Sequence, residues 1–424
     1  MKITALSLAA VVACAAFFPS SNTLAAEKVL VIGDSLSREY QVEFPVFPDA
    51  RNWVELLAEN RADDFDFGER RPTRRYEYNW AQPTSSAEDF ADLLTGGSFL
   101  QEVFQDAIND DFDNVDSVVV FIGGNDIDSK YGPIYNGNQG TADDIIARIE
   151  NDLEDIIDFV LDDTPNMRMI LVNVPHVGAT PEVKADHPTD PIKTGRVTTA
   201  LQTLNDNLRD LAEEKDIGYA DVFTFVTELL SDDPYCIGGY PFINEGDDDG
   251  DAEYLWLGGD LSQNFHPNTN GQALVANEII AAYNEKYDLG AEPFSELEIV
   301  EDLLGLETPL SEWAEGFGLA SNQRQPDDDP DGDGLNNLLE YALDLDPTQP
   351  TNLPSPVITG GSFQFEYTVR AHTCYEVIPE ISSNLTGWTP VGAGNISELS
   401  DNHFLVSVPS SQDAQFLHLR IQQR

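Results

Sequence analysis

Three short runs of apolar, largely β-branched residues constrain this chain most: Lys28–Gly33 (KVLVIG), Val115–Ile122 (VDSVVVFI) and Met167–Val174 (MRMILVNV). None of them alternates regularly between polar and apolar, so each suits a parallel strand covered on both faces. Amphipathic stretches lie between them. Behind Thr141, read as a helix cap, Ile145, Ile146, Ile149, Leu153, Ile156, Ile157 and Val160 recur at helical spacing. Thr198–Leu211 and Ala273–Tyr287 read the same way. Strands alternating with helices predict a three-layer α/β/α sandwich, flavodoxin-like, with a parallel sheet. In such a sheet a ligand site falls at the carboxyl ends of the strands.

Polar residues with chemical uses gather at those ends. The first run closes in Gly33-Asp34-Ser35-Leu36, which puts a serine hydroxyl on a tight turn; alone, such a tripeptide is often just a turn. The second closes in Gly123-Gly124-Asn125-Asp126, which projects a neutral amide donor, Asn125, at the same edge. Of six histidines, His266 alone sits in a turn before the last helix of this region, within Asn264-Phe-His-Pro-Asn268. His176 and His187 are alternative cleft residues. His372, His403 and His418 fall in the C-terminal region.

These blocks resemble the SGNH/GDSL hydrolase family over roughly residues 28–290. Arg51-Asn52-Trp53 and Asn79-Trp80-Ala81 extend the resemblance. It implies a serine ester hydrolase, an esterase or carbohydrate deacetylase, with Ser35 as nucleophile and His266 as its base. Asn125 and backbone N–H groups at Ser35 and near Thr84 would hold the oxyanion, and no cofactor is needed for catalysis. Two departures stand out. Thr84 replaces the family's glycine at the backbone oxyanion donor, although any non-proline residue keeps the N–H and threonine tolerates positive φ badly. Gln263 replaces the aspartate that orients the histidine; Gln263, Asp260 or a backbone carbonyl remain as third members. Those departures motivate a second reading, an inactive scaffold serving as a surface or glycan-binding protein. Tyr76, Tyr78, Trp80, Tyr131 and Tyr135 flank the blocks and are candidate pocket walls.

Residues 1–26 read as an export signal, with Lys2, an apolar stretch to Phe18 and small residues at Ala25-Ala26. The run is too short for a membrane span, and no transmembrane anchor is expected. Seventy-six acidic against 22 basic residues, a net charge of −54, disfavour nucleic-acid partners and fit a salty exterior or a generically acidic surface. Of three cysteines, Cys236 and Cys374 lie beyond the signal, either paired in an oxidising compartment or both reduced.

We divide the rest into a hydrolase region (27–290), a helical linker (291–354) and a small all-β accessory module (355–424). In the linker, Asp329, Asp331, Asp333, Gly334 and Glu340 match the D-x-D-x-D-G-x5-E calcium pattern. Leu335 would supply a carbonyl and Asn337 a ninth-position ligand, for a structural Ca2+. The run Asp331–Pro347 resembles calcium-bound linker repeats next to export-associated β modules in bacterial surface proteins. Trp388, Tyr367 and Tyr375 in the β module are candidate sugar-stacking residues for a glycan or cell-surface contact, or core.

Overall fold

The computed structural model describes residues 25–70, 76–231, 233–262, 264–353, 355–371, 374–410 and 416–424. The export-signal reading, Gln263 and His372 lie outside them, apart from Ala25 and Ala26.

Five parallel strands form the central sheet: β1 (Glu27–Gly33), β2 (Phe65–Asp66), β3 (Ser117–Phe121), β4 (Arg168–Val172) and β5 (Gly218–Ala220), in the order β2-β1-β3-β4-β5. The uniform hydrophobicity of the runs has a direct cause. Leu30, Ile32, Val118, Val120, Met169 and Leu171 face one core, beneath helices Ala87–Thr95, Gln139–Asp163 and Lys193–Glu214. Val29, Val31, Val119, Phe121, Ile170 and Val172 face the other, beneath Trp53–Asn60 and Thr269–Tyr287. The three-layer expectation is met. Asn138, not Thr141, caps the long helix: its side chain accepts from the Thr141 N–H, so the helix begins at Gln139.

The strand order reverses between β1 and β3, and a crevice opens beyond their carboxyl ends where the crossovers leave in opposite directions. A second small sheet, β6 (Tyr235–Ile237), β7 (Tyr240–Asp247) and β8 (Tyr254–Leu257), stands beside that crevice.

Beyond the hydrolase region come helices Pro309–Gly316 and Asn337–Ala342. Two antiparallel sheets then share one core. Phe363, Phe365, Tyr367, Val406 and Val408 from the first meet Val377, Ile381, Leu417 and Leu419 from the second. Tyr367 is thus a core residue, not a surface platform. Tyr375 packs edge-on against Tyr341, and Trp388 lies 3.8 Å from the His418 ring, centroid to centroid. A Cys236–Cys374 disulfide ties β6 to the start of the second sheet's strand Tyr375–Ser382. Among the described residues no helix is long and apolar enough to cross a membrane.

Candidate active site

β1 ends in a turn that leaves Ser35 at the floor of the crevice. The Asp34 carboxylate accepts the Leu36 N–H at 2.9 Å, and the Asp34 carbonyl accepts the Ser37 N–H at 3.2 Å. Gly33 is required here: a Cβ would meet the Phe121 carbonyl oxygen at 2.9 Å and Ser37 Oγ at 2.8 Å. Burial pushes the Asp34 carboxyl up to about 7, opposed by the Leu36 N–H. The two cited blocks brace this turn. Trp53 Nε1 donates to Ser37 Oγ at 3.1 Å and Asn79 Nδ2 to the Ser37 carbonyl at 2.8 Å.

Residues 78–82 run alongside β1, with Trp80 N–H on the Val31 carbonyl and Gln82 N–H on that of Gly33, both at 2.8 Å. That track delivers Thr84 to the rim, where its φ is +67°. Ser86 then caps helix Ala87–Thr95. The backbone therefore takes at Thr84 the left-handed conformation that a glycine would adopt without cost.

Across the crevice, β3 gives way to Gly123, with φ +120°, and the short helix Gly124–Asp128. Asn125 Nδ2 donates to the Ser85 carbonyl at 2.9 Å, and Asp126 accepts the Ala87 N–H at 2.9 Å. The β3 turn and the Thr84 loop are thus pinned together.

The third segment arrives from the opposite end of the chain. Leu257 N–H donates to the His266 carbonyl at 2.9 Å, and Asn268 N–H donates to that of Leu255 at 2.7 Å, so β8 guides the histidine loop. Asn268 caps helix Thr269–Tyr287 and its amide reaches the carbonyls of Gly250, Asp251 and Tyr254. Arg51 N–H on Thr269 Oγ1 and Trp53 N–H on Gln272 Oε1 fix the helix start to the 51–53 block. His266 Nε2 comes 2.8 Å from Ser35 Oγ, with both residues buried. Phe44, Phe265 and Tyr40 surround the imidazole at centroid distances of 4.7, 5.7 and 6.3 Å. An imidazole nitrogen so placed is able to take the alcohol's proton.

Asp260 is exposed and makes no hydrogen bond to His266 among the described residues. His176 lines the cleft but is fully buried, bonded to Thr198 Oγ1 at 3.0 Å, and burial lowers it to about 4. His187 packs on Tyr131 and Tyr135 instead.

Ser35 and Asn125 line one cleft, whose cavity volume is only about 40 Å³. Its far wall is apolar: Val222, Phe225, Val226, Leu229, Trp256 and Val275. None of the five flanking aromatics expected at the pocket lines it. Tyr76, Tyr131 and Tyr135 are core residues, Trp80 bonds Asp111, and Tyr78 is packed at the core's edge. The walls that sequence reading missed come from helix Phe223–Glu228, its neighbours and β8, whose apolar residues look like any others.

Away from this cleft, oxygens of Asp329, Asp331 and Asp333 lie within 4.8 Å of one another. Glu340 is fully buried beside them; burial, with Asp331, Asp333 and Asp329, pushes its carboxyl up to about 7.

Solved structures offer comparisons. An extracellular lipase from Streptomyces rimosus is 16% identical, with TM-score 0.38, over 61% of this chain and 100% of its own. A phospholipase A1 from Streptomyces albidoflavus is 15% identical, with TM-score 0.37, over 62% and 100%. A lipase from a goat rumen metagenome is 12% identical, with TM-score 0.38, over 61% and 97%. No curated protein sequence matches. The model of GDSL-like lipases and acylhydrolases matches residues 29–279, more than half of the chain, and the chain belongs to that family.

Proposed function

We propose that this chain is a secreted serine ester hydrolase in which Ser35 attacks the ester carbonyl and His266 takes its proton. The observation that carries this reading is the 2.8 Å approach of His266 Nε2 to Ser35 Oγ at the switch point of the sheet. As the hydroxyl attacks, the carbonyl oxygen becomes an anion. The Asn125 amide and the backbone N–H groups of Ser35 and Thr84 would receive it. His266 then returns the proton to the leaving alcohol, and water releases the acyl group by the same route in reverse. The third member is Gln263, Asp260 or a backbone carbonyl. Exposure weakens the case for Asp260.

The apolar wall of the cleft favours esters whose acyl part is itself apolar, each buried CH2 contributing about 0.8 kcal/mol. The paired cysteines agree with an oxidising, extracytoplasmic setting, as does the export-like start of the sequence.

The test is hydrolysis of p-nitrophenyl esters of graded chain length by the wild type and by Ser35→Ala. Turnover should fall by about 10⁴-fold or more in the variant. Equal, background-level rates in both proteins across the whole series would favour the second reading, a binding scaffold.

A further inference from the structure

The acidic loop of the linker lies outside the family's residues, and three clustered aspartates on a loop are ordinarily just solvated. A second observation sets this cluster apart. Glu340 points from helix Asn337–Ala342 into the interior with no exposure, and neither of its carboxylate oxygens has a hydrogen-bond partner. Asp331 Oδ2 and Asn337 Oδ1 are likewise buried without one. A buried carboxylate that no donor satisfies is strongly disfavoured, and here four more carboxylates, Asp331, Asp333, Asp329 and Asp346, act on it unfavourably. The remaining aspartate oxygens are spent on shaping the loop. Asp329 accepts from the Gly332 and Gly334 N–H groups, Asp331 from Asp333, and Asp333 from Leu335 and Thr351. The side chains are therefore held together by the backbone against their own repulsion. A divalent cation would supply the missing compensation.

We propose that Asp329, Asp331, Asp333 and Glu340, with the Leu335 carbonyl, bind one calcium ion, and that this ion locks the C-terminal β sheets onto the rest of the chain. An all-oxygen set with a carboxylate able to bind through both oxygens suits a hard cation of six to eight ligands, and suits calcium better than magnesium, which keeps its waters. Asn337 holds the preceding turn, its amide donating to the Gln323 and Gln325 carbonyls at 2.8 and 2.9 Å, while its Oδ1 remains available.

The lock follows from what the next two residues of the helix touch. Tyr341 packs against Trp313 of the linker, at 5.4 Å, and Tyr375 of the β module, at 6.3 Å. Arg370 of the module lies over the Tyr341 ring at 4.7 Å and donates Nε to the Tyr341 carbonyl and its backbone N–H to that of Ala342, at 3.0 and 2.9 Å. An ion that fixes Glu340 fixes Tyr341 beside it, and with it the seat of the module. This is independent of the proposed ester chemistry.

The test titrates CaCl2 into the whole secreted chain, stripped with chelator, at physiological ionic strength. Wild type, Glu340→Gln and Asp331→Asn are compared by calorimetry and by limited proteolysis of the 318–356 segment. The wild type should bind one equivalent saturably, with a dissociation constant of roughly 10⁻³ M or tighter. Each variant should lose about tenfold or more in affinity. Calcium should slow linker cleavage in the wild type alone. Circular dichroism of the variants in chelator should match the wild type, since both relieve carboxylate repulsion. Wild-type affinity in Glu340→Gln, or no saturable binding by the wild type at millimolar calcium, overturns the site. Saturable binding with unchanged cleavage overturns the lock.

Discussion

Asn125 has two amide protons, and the one given to the Ser85 carbonyl turns a swinging side chain into a fixed donor. Preorganisation of this kind is what makes an oxyanion donor effective, because nothing has to reorient as charge develops. Asn125→Ala should therefore lower kcat by about 100- to 1000-fold with KM nearly unchanged. Steady-state kinetics on the best p-nitrophenyl ester checks this; a loss confined to KM would mean that the amide only binds substrate. Thr84 is the complementary case. From the sequence it reads as a conflict between residue type and backbone, and the chain keeps the left-handed turn anyway, at a cost of about 1–3 kcal/mol. The hydrogen bonds that lash residues 78–82 to β1 are what over-determine it. Ser35, Asn125 and His266 were legible because the proposed chemistry restricts residue type and position at once. Phe225, Leu229 and Trp256 were not, since an apolar residue that faces a cleft and one that faces a core share the same sequence signature.

At the scale of elements, the continuous apolar runs became β1, β3 and β4 because helices cover both of their faces. The helices were legible from period, while their ends shifted where capping chemistry, not hydrophobicity, decides, as at Asn138. β2, β6 and β8 are only two, three and four residues long, and the eight residues of β7 include Pro241, Gly246 and several polar residues, so no periodicity announces them. Yet β8 is the strand that steers the histidine loop. The start of helix Thr269–Tyr287 is the other half of that support, and one side chain joins the two: Asn268 caps the helix and ties it to the Gly250–Tyr254 turn. Asn268→Ala should cost about 1–2 kcal/mol of stability. If His266 is the base, as proposed, it should also reduce kcat/KM by more than tenfold through a displaced imidazole, since small misplacements of such a group are expensive. Thermal melts and kinetics on the same preparation separate the two effects. A stability loss with full activity would show that the histidine is positioned without this cap.

The molecule as a whole carries a net charge of −54, so every contact that holds its parts together works against self-repulsion. Burial joins the helical layers to both faces of the central sheet, whereas the β module has a core cluster of its own. At the junction between them a covalent tie has most to contribute. The Cys236–Cys374 bond spans 138 residues of sequence, a separation at which loop-closure entropy alone is worth up to roughly 5 kcal/mol against the unfolded chain. Sequence could list the two cysteines but not pair them, because pairing depends on how the module seats, which no local pattern records. Gln423 on Glu296 and Arg370 on the Tyr341 carbonyl act across the same junction. Replacing both cysteines by serine should therefore lower the melting temperature of the β module and speed proteolysis near residue 374. It should leave ester turnover within about twofold, because the Ser35, Asn125 and His266 turns are braced by contacts that do not involve Cys236. Calorimetry with parallel activity assays checks both arms. A melting profile indifferent to the substitution would mean that apolar packing and polar contacts alone hold the module in place, and the junction would then have to be weighed by removing Arg370 and Glu296 instead.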